Sequence, residues 1–221
     1  MKNITVLVSG GGTNLGALIN ACKDGIITHG RINLVLSSHE DAYALTRAKD
    51  NGIKTEVVKR SDYKGDREGY SDAIISVLEK YDTDLIVLAG FMYVLSEKLC
   101  KKYSNRIINV HPALIPAFCG DGFYGLHVHE RVLEYGVKVT GATVHFVNEI
   151  TDGGAIILQK AVAVEDGDTP ELLQRRVMEQ AEWKILPEAV ELFCADKLSI
   201  EGRTVRIVRS EVDSIEDNRL S

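Results

Sequence analysis

The stretch ITVLVSGGGTNLGALINACK, residues 4–23, decides the fold. Its first five residues are apolar or β-branched, the habit of a buried strand. Three glycines then break the run, and Leu15, Leu18, Ile19 and Cys22 follow at the spacing of one helix face. A strand, a glycine turn and a helix in that order open a βαβ unit, so the chain is read as α/β with a parallel sheet.

The grammar repeats downstream. RINLVLSS (31–38) is expected to be a second strand, and EDAYALTRAKDNG (40–52) a helix closed by Gly52. KTEVV is a third strand, SDYKGDREGYSDAIISVLEKY a polar loop and a helix, and DLIVLAGF an apolar run of the kind that parallel sheets bury on both faces. SEKLCKKY reads as a short helix, RIINVH as a strand, and LHVHERVLEYG as a helix stopped by glycine. From Val137 the pattern changes. VKVTGATVHFV and GAIILQKAVAV are extended runs joined by NEITDGG without a helical crossover, which predicts an antiparallel extension. A long helix follows, opened by Thr169 as its cap with Pro170 at the first position, and Pro187 inside it is expected to kink it or divide it. SIEGRTVRIV and RSEVDSIEDNRLS read as a small hairpin and a polar tail. The fold class is therefore a doubly wound, mostly parallel sheet with an antiparallel carboxyl-terminal extension, a Rossmann-like arrangement in one domain over residues 1–200 with an appendage at 201–221.

A chain of 221 residues with 45% hydrophobic and 26% charged side chains has enough length for one substantial core. The net charge of −6 argues against broad affinity for nucleic acid, so small-molecule partners are expected. Cys22, Cys100, Cys119 and Cys194 are widely spaced, with no C-x-x-C pair. The amino terminus lacks a signal-peptide pattern and no apolar run approaches a membrane span. These features predict a cytoplasmic protein with no membrane association, either a monomer or a homodimer.

Three places carry candidate chemistry. In SGGGTNL the glycines allow backbone N–H groups to approach a ligand while the helix directs the positive end of its dipole at the same point, an anion site in which Thr13 and Asn14 cap the helix or reach a phosphate. It lacks the lysine of a Walker A loop and the spacing of a dinucleotide fingerprint, and a plain strand-to-helix turn is the other reading. In IINVHPALIP (107–116), Asn109 and His111 alternate along a strand and point to one side, an amide donor and an imidazole suited to an oxyanion and a mobile proton. An ordinary histidine bonded to a nearby carbonyl is the competing reading. Pro112 and Pro116 would stiffen the strand's exit. In NEITDGG, Asp152 lies in a glycine turn from which a carboxylate can orient His111 and raise its pKa, or simply form an Asp-Gly turn. His127, His129 and His145 lack companions at metal-ligand spacing, so no metal is expected.

VSGGGTNL, VLAGFMYVLS, NVHPALIP, GATVHFVNEITDGGAIILQ and EDGDTPELLQRRV occur in an order and spacing that resemble the phosphoribosylglycinamide formyltransferases, folate-dependent enzymes of de novo purine synthesis. The resemblance runs from about residue 3 to 200. It implies transfer of the formyl group of 10-formyltetrahydrofolate to glycinamide ribonucleotide without a metal. It implies a catalytic group of Asn109, His111 and Asp152. The substrate's phosphate falls to Gly12, Thr13 and Asn14 in the amino-terminal half, and its ribose to Glu182. The formyl-folate falls to Arg67, to Met92, Tyr93, Val94 and Leu95, and to Asn148, Glu149, Ile150 and Thr151. Tyr93 stands where the family often has arginine, the loop AFCGDGFYGLH is longer than the family's shorter form, and the helix carrying Glu182 holds one extra residue upstream. Two alternatives stay open. One is another 10-formyltetrahydrofolate enzyme, a deformylase or a methionyl-tRNA formyltransferase, each of which usually carries a further domain. The other is a non-catalytic nucleotide-binding module.

Overall fold

A computed structural model describes residues 1–208, so the polar tail expected beyond them lies outside the described residues. Nine strands form one sheet in the order β3-β2-β1-β4-β5-β6-β7-β9-β8. The first five, β1 (Lys2–Val8), β2 (Gly30–Ser37), β3 (Lys54–Val57), β4 (Leu85–Leu88) and β5 (Ile107–His111), are parallel to one another. β6 (Val139–Phe146) then runs antiparallel to β5, and β7 (Ile156–Ala163) antiparallel to β6, as the change of pattern after Val137 predicts. The hairpin of β8 (Leu198–Glu201) and β9 (Thr204–Ile207) meets β7 through one parallel pairing, Ile156 with Thr204.

Helices connect and cover these strands: α1 (Thr13–Lys23), α2 (Tyr43–Asp50), α3 (Arg67–Lys80), α4 (Glu97–Lys102), α5 (Leu126–Tyr135), α6 (Pro170–Val177) and α7 (Trp183–Cys194). Two apolar clusters result, because successive strand residues face opposite sides. Ile4, Val6, Val35, Val87 and Ile108 pack with α1, α2, α5, α6 and α7 on one face. Leu7, Leu34, Leu36, Ile86 and Ile107 pack with α3 and α4 on the other. β1 sits between β2 and β4, so the chain leaves it in two directions across the sheet. That reversal opens a crevice at the carboxyl ends of β1 and β4, the usual place for a ligand in such sheets.

Two local expectations are corrected. Neither Thr13 nor Asn14 caps α1; Gly12 takes the cap position in the left-handed conformation, φ 69° and ψ 40°, without a side-chain bond. The long carboxyl-terminal helix does not break at Pro187, which lies inside α7. The interruption is a π-helical turn, Met178–Glu182, between α6 and α7. Pro187 has no N–H to return to the carbonyl four residues back, that of Trp183, so its effect falls where the π turn hands over to α7. No helix among the described residues is long and apolar enough to cross a membrane.

Candidate active site

A cleft of about 700 Å³ runs across the carboxyl ends of the parallel strands. Asn109 lies opposite the last residue of β4, Leu88, and β5 continues two residues further to His111. On its other side β5 pairs with β6 so that Asn109 faces His145 and His111 faces Thr143. A bulge in the pairing of β6 with β7 falls between Val144 and His145, and such irregularities commonly re-aim a side chain beside a site.

Asp152 joins the group from the loop after β6. One carboxylate oxygen stands 3.6 Å from His111 Nδ1 and the other 3.6 Å from His145 Nε2. The Gly120 N–H donates to Asp152 at 2.9 Å, and Asp152 itself has a left-handed φ of 53°, which an aspartate tolerates better than most side chains. Close packing fixes the turn: a Cβ on Gly154 would lie 1.7 Å from the Phe146 carbonyl oxygen. His111 Nε2 is 2.8 Å from the carbonyl of Phe118, which can only accept, so that nitrogen carries a hydrogen and Nδ1 faces Asp152.

His145 Nδ1 donates in the same way to the Phe146 carbonyl at 2.8 Å, leaving Nε2 to accept from the Asn109 amide at 3.2 Å in the neutral ring. His145 therefore sets which way the Asn109 amide points. The sequence alone marks His145 only as a histidine without metal-ligand spacing. Its pairing with Asn109 depends on the β5–β6 register, and the alternation of the two runs is the one signal that anticipates it.

The strand exit is tied down by hydrogen bonds. Thr143 Oγ1 donates to the Ala113 carbonyl at 2.7 Å and accepts from Ile115 N–H at 3.0 Å, while Gln159 donates to the Ile115 carbonyl at 3.0 Å. The long loop after Pro116 folds onto this group of side chains. Besides the Phe118 and Gly120 contacts, Thr151 donates to Asp121 at 3.1 Å, and Phe118 meets the rings of Phe123 and Tyr135.

Burial shapes the charges. It pushes the His111 pKa below its ordinary value, although Asp152 and the Phe118 carbonyl pull the other way. The expectation that Asp152 leaves this imidazole with a raised pKa is thus corrected, because removal from water outweighs the carboxylate. Asp152 itself is lowered: burial raises its pKa, and the contacts with His145, His111 and Gly120 more than offset that. His129, fully buried on the same wall with no partner for either ring nitrogen, falls to about 4, through burial first and His111 second.

At the other end of the cleft, Asn14 donates to Glu182 at 2.7 Å. Burial carries the Glu182 pKa up to about 7 against that hydrogen bond, and the Asn14 carbonyl oxygen is left buried without a partner. Met92, Tyr93, Val94, Leu95, Asn148, Ile150 and Thr151 line the remaining wall, together with Gln174 and Met178, which the sequence did not single out. Gly12, Thr13, Arg67 and Glu149 lie outside that lining. Thr13 Oγ1 approaches the Met178 sulfur at 3.8 Å, and Arg67 donates to the Leu95 carbonyl, bracing the segment from behind. The Tyr93 hydroxyl is 3.3 Å from His39 Nε2, and its ring packs against His39, Tyr70 and Phe91. Among the described residues no cluster of three or more histidine, cysteine, aspartate or glutamate side chains has the arrangement of a metal site.

The arrangement offers an amide donor, an imidazole and a carboxylate at one wall of an apolar cleft, the parts required for acyl transfer. The formyl transferase family model matches residues 2–190. A phosphoribosylglycinamide formyltransferase of Haemophilus influenzae is 40% identical, with 91% of each chain covered. A trifunctional purine biosynthetic protein of Gallus gallus is 44% identical over 89% of this chain, which spans 19% of that longer protein. The crystal structure of a glycinamide ribonucleotide transformylase from Symbiobacterium toebii superposes with a TM-score of 0.88 at 44% identity, covering 95% of both chains. The chain therefore belongs to the formyl transferase family, among its phosphoribosylglycinamide formyltransferases.

Proposed function

We infer that this chain transfers the formyl group of 10-formyltetrahydrofolate to the amine of glycinamide ribonucleotide, yielding formylglycinamide ribonucleotide and tetrahydrofolate in purine biosynthesis. The observation that carries the reading is the convergence of Asn109, His111, His145 and Asp152 on one wall of a cleft whose far end holds Asn14 and Glu182. The glycine loop and the start of α1 take the phosphate at Gly12, Thr13 and Asn14. The orphaned Asn14 carbonyl and Glu182 are two acceptors, a match for the hydroxyls of a ribose. Met92, Tyr93, Val94 and Leu95 face Asn148, Glu149, Ile150 and Thr151 around the pterin, with Arg67 at its outer edge.

In the reaction the amine nitrogen bonds to the formyl carbon and the bond from that carbon to the folate nitrogen breaks. Asn109 donates its second amide hydrogen to the oxygen as charge develops. The depressed pKa keeps much of His111 neutral near pH 7, so Nδ1 takes the amine's proton as the oxyanion forms, and Asp152 stabilises the resulting imidazolium. The folate nitrogen leaves with a proton returned from this group, and no metal enters the scheme.

One catalytic domain over residues 1–200, a cytoplasmic location and a monomeric or homodimeric state complete the reading, the location supported by four free cysteines. Incubation with 10-formyltetrahydrofolate, with and without glycinamide ribonucleotide, tests it. Formylated nucleotide is expected only with the acceptor; formate released without the acceptor would favour a deformylase, and absence of both products would favour a binding module.

A further inference from the structure

The glycine loop rests on α2, and two of its carbonyls are held there. The N–H of Ala44 donates to Gly10 O at 3.1 Å, and Arg47 Nε donates to Gly11 O at 2.9 Å. The loop and the helix are in close contact, since a Cβ on Gly12 would stand 2.7 Å from the Ala44 Cβ. In a trans peptide the carbonyl and the following N–H point in opposite directions. Drawing the carbonyls of Gly10 and Gly11 toward α2 thus turns the N–H groups of Gly11 and Gly12 away from it. A Cβ on Gly10 or Gly11 would meet nothing within 4 Å, so that side of the loop is open.

Among the α-helical arginines of the described residues, only Arg47 and Arg67 lack a carboxylate partner, and Arg67 is bonded to the Leu95 carbonyl. Arg131, Arg175 and Arg176 each pair with a carboxylate. Arg47 is half-buried, its guanidinium lies 5.0 Å from the centre of the Tyr43 ring, and among the described residues it has no carboxylate partner. A charge of this kind, left uncompensated in a chain of net charge −6, stands immediately behind a loop of free amides.

We propose that Arg47 is a positioning residue for the phosphate of the nucleotide substrate: it fixes the Gly11–Gly12 peptide so that its N–H faces the anion, and it supplies the positive charge that the loop itself lacks. The proposal rests on the reading of the glycine loop as the phosphate site. Arg47 lies outside the lining of the cleft and touches no reacting atom.

The test compares Arg47→Ala, Arg47→Gln and Arg47→Lys with the parent protein. Affinities for glycinamide ribonucleotide, for its dephosphorylated riboside and for 10-formyltetrahydrofolate are measured by calorimetry beside kcat and KM. Arg47→Ala is expected to weaken the nucleotide about tenfold, with the riboside, the folate and kcat at saturation within about twofold of the parent. Lysine keeps the charge and is expected to retain part of the salt-dependent affinity; glutamine keeps a donor and loses that dependence. Equal losses for nucleotide and riboside, or full nucleotide affinity in Arg47→Ala, would overturn the proposal. A parent protein that binds both forms equally would instead overturn the assignment of the loop. Should the alanine variant fail to fold, the lysine and glutamine variants decide through the same ratio of nucleotide to riboside affinity.

Discussion

The carboxyl end of β1, where the proposed function places the nucleotide's phosphate, presents backbone: glycine amides and the first turn of α1, with α2 packed directly behind. Across β5 and β6 the cleft presents side chains, and Asn109, His111, His145 and Asp152 hold one another through hydrogen bonds and near-contacts. The first arrangement has its groups fixed by the fold's own geometry and suits an unchanging anion. The second has groups whose charge and proton content change with their surroundings, as a reacting centre requires. On the proposed function, the parallel half of the sheet serves binding, and the point where its direction reverses serves chemistry.

The largest expected effects test that division at the catalytic end. Asn109→Ala and His111→Ala are each expected to lower kcat by about 10²-fold or more while both ligands keep near-parental dissociation constants. Turnover close to normal in either variant would remove that residue from the chemistry. His129 supplies a stability effect in the same wall. Its folded pKa, about 4, lies below the ordinary 6.5, so the unfolded chain binds its proton first. The contribution is fully present above pH 6.5 and is lost as pH falls toward 4, amounting to about 2 kcal/mol by pH 5. Urea unfolding of the parent and of His129→Leu at pH 7 and pH 5 measures it as a difference. Glu182 acts with the opposite sign, since its raised pKa favours the folded state at low pH, and it cancels in that difference.

His145→Phe keeps the bulk and removes the acceptor that orients the Asn109 amide. A fall in kcat of about tenfold is expected with little change in affinity. A loss of substrate binding instead would mean that the imidazole contacts ligand directly. The smallest effect belongs to the nucleotide end. Ribose hydroxyls favour the ionised form of Glu182, so binding lowers its pKa from about 7, and nucleotide affinity is expected to rise between pH 6 and pH 8. Glu182→Gln is expected to weaken the nucleotide about fivefold and to flatten that pH dependence. A flat profile in the parent would place the carboxylate away from the substrate.

The sequence makes the parallel half legible because each strand and helix there carries its own period, and because the loss of helical crossovers after Val137 is visible without knowing the strand order. Asn109 and His111 stand out as poor strand formers in an otherwise apolar run. His145 does not, because what distinguishes it is a cross-strand neighbour 36 positions away. Arg47 sits in a short helix among Thr46, Lys49 and Asp50, the composition of any partly solvent-facing helix, and its contact with Gly11 belongs to the tertiary fold. The sign of the His111 shift is illegible for a related reason: a sequence lists the carboxylate that raises a pKa but not the burial that lowers it. The π turn leaves no mark in the composition of MEQAE, and its one signal in the sequence is the extra residue upstream of Glu182 relative to the family it resembles.

That turn bears on how this helix tolerates change in length. An α-helix advances about 100° per residue, so a π turn is a one-residue phase slip between α6 and α7. Deleting a residue within 178–182 would do little to the helix's overall length. It would rotate α6 relative to α7 by roughly a quarter turn, carrying either Glu182 or the buried face of α6 out of register with the sheet. The extra residue works as an angular offset, letting one continuous rod present Leu173 and Val177 to the core, Glu182 to the cleft, and Leu186 and Val190 to the core again.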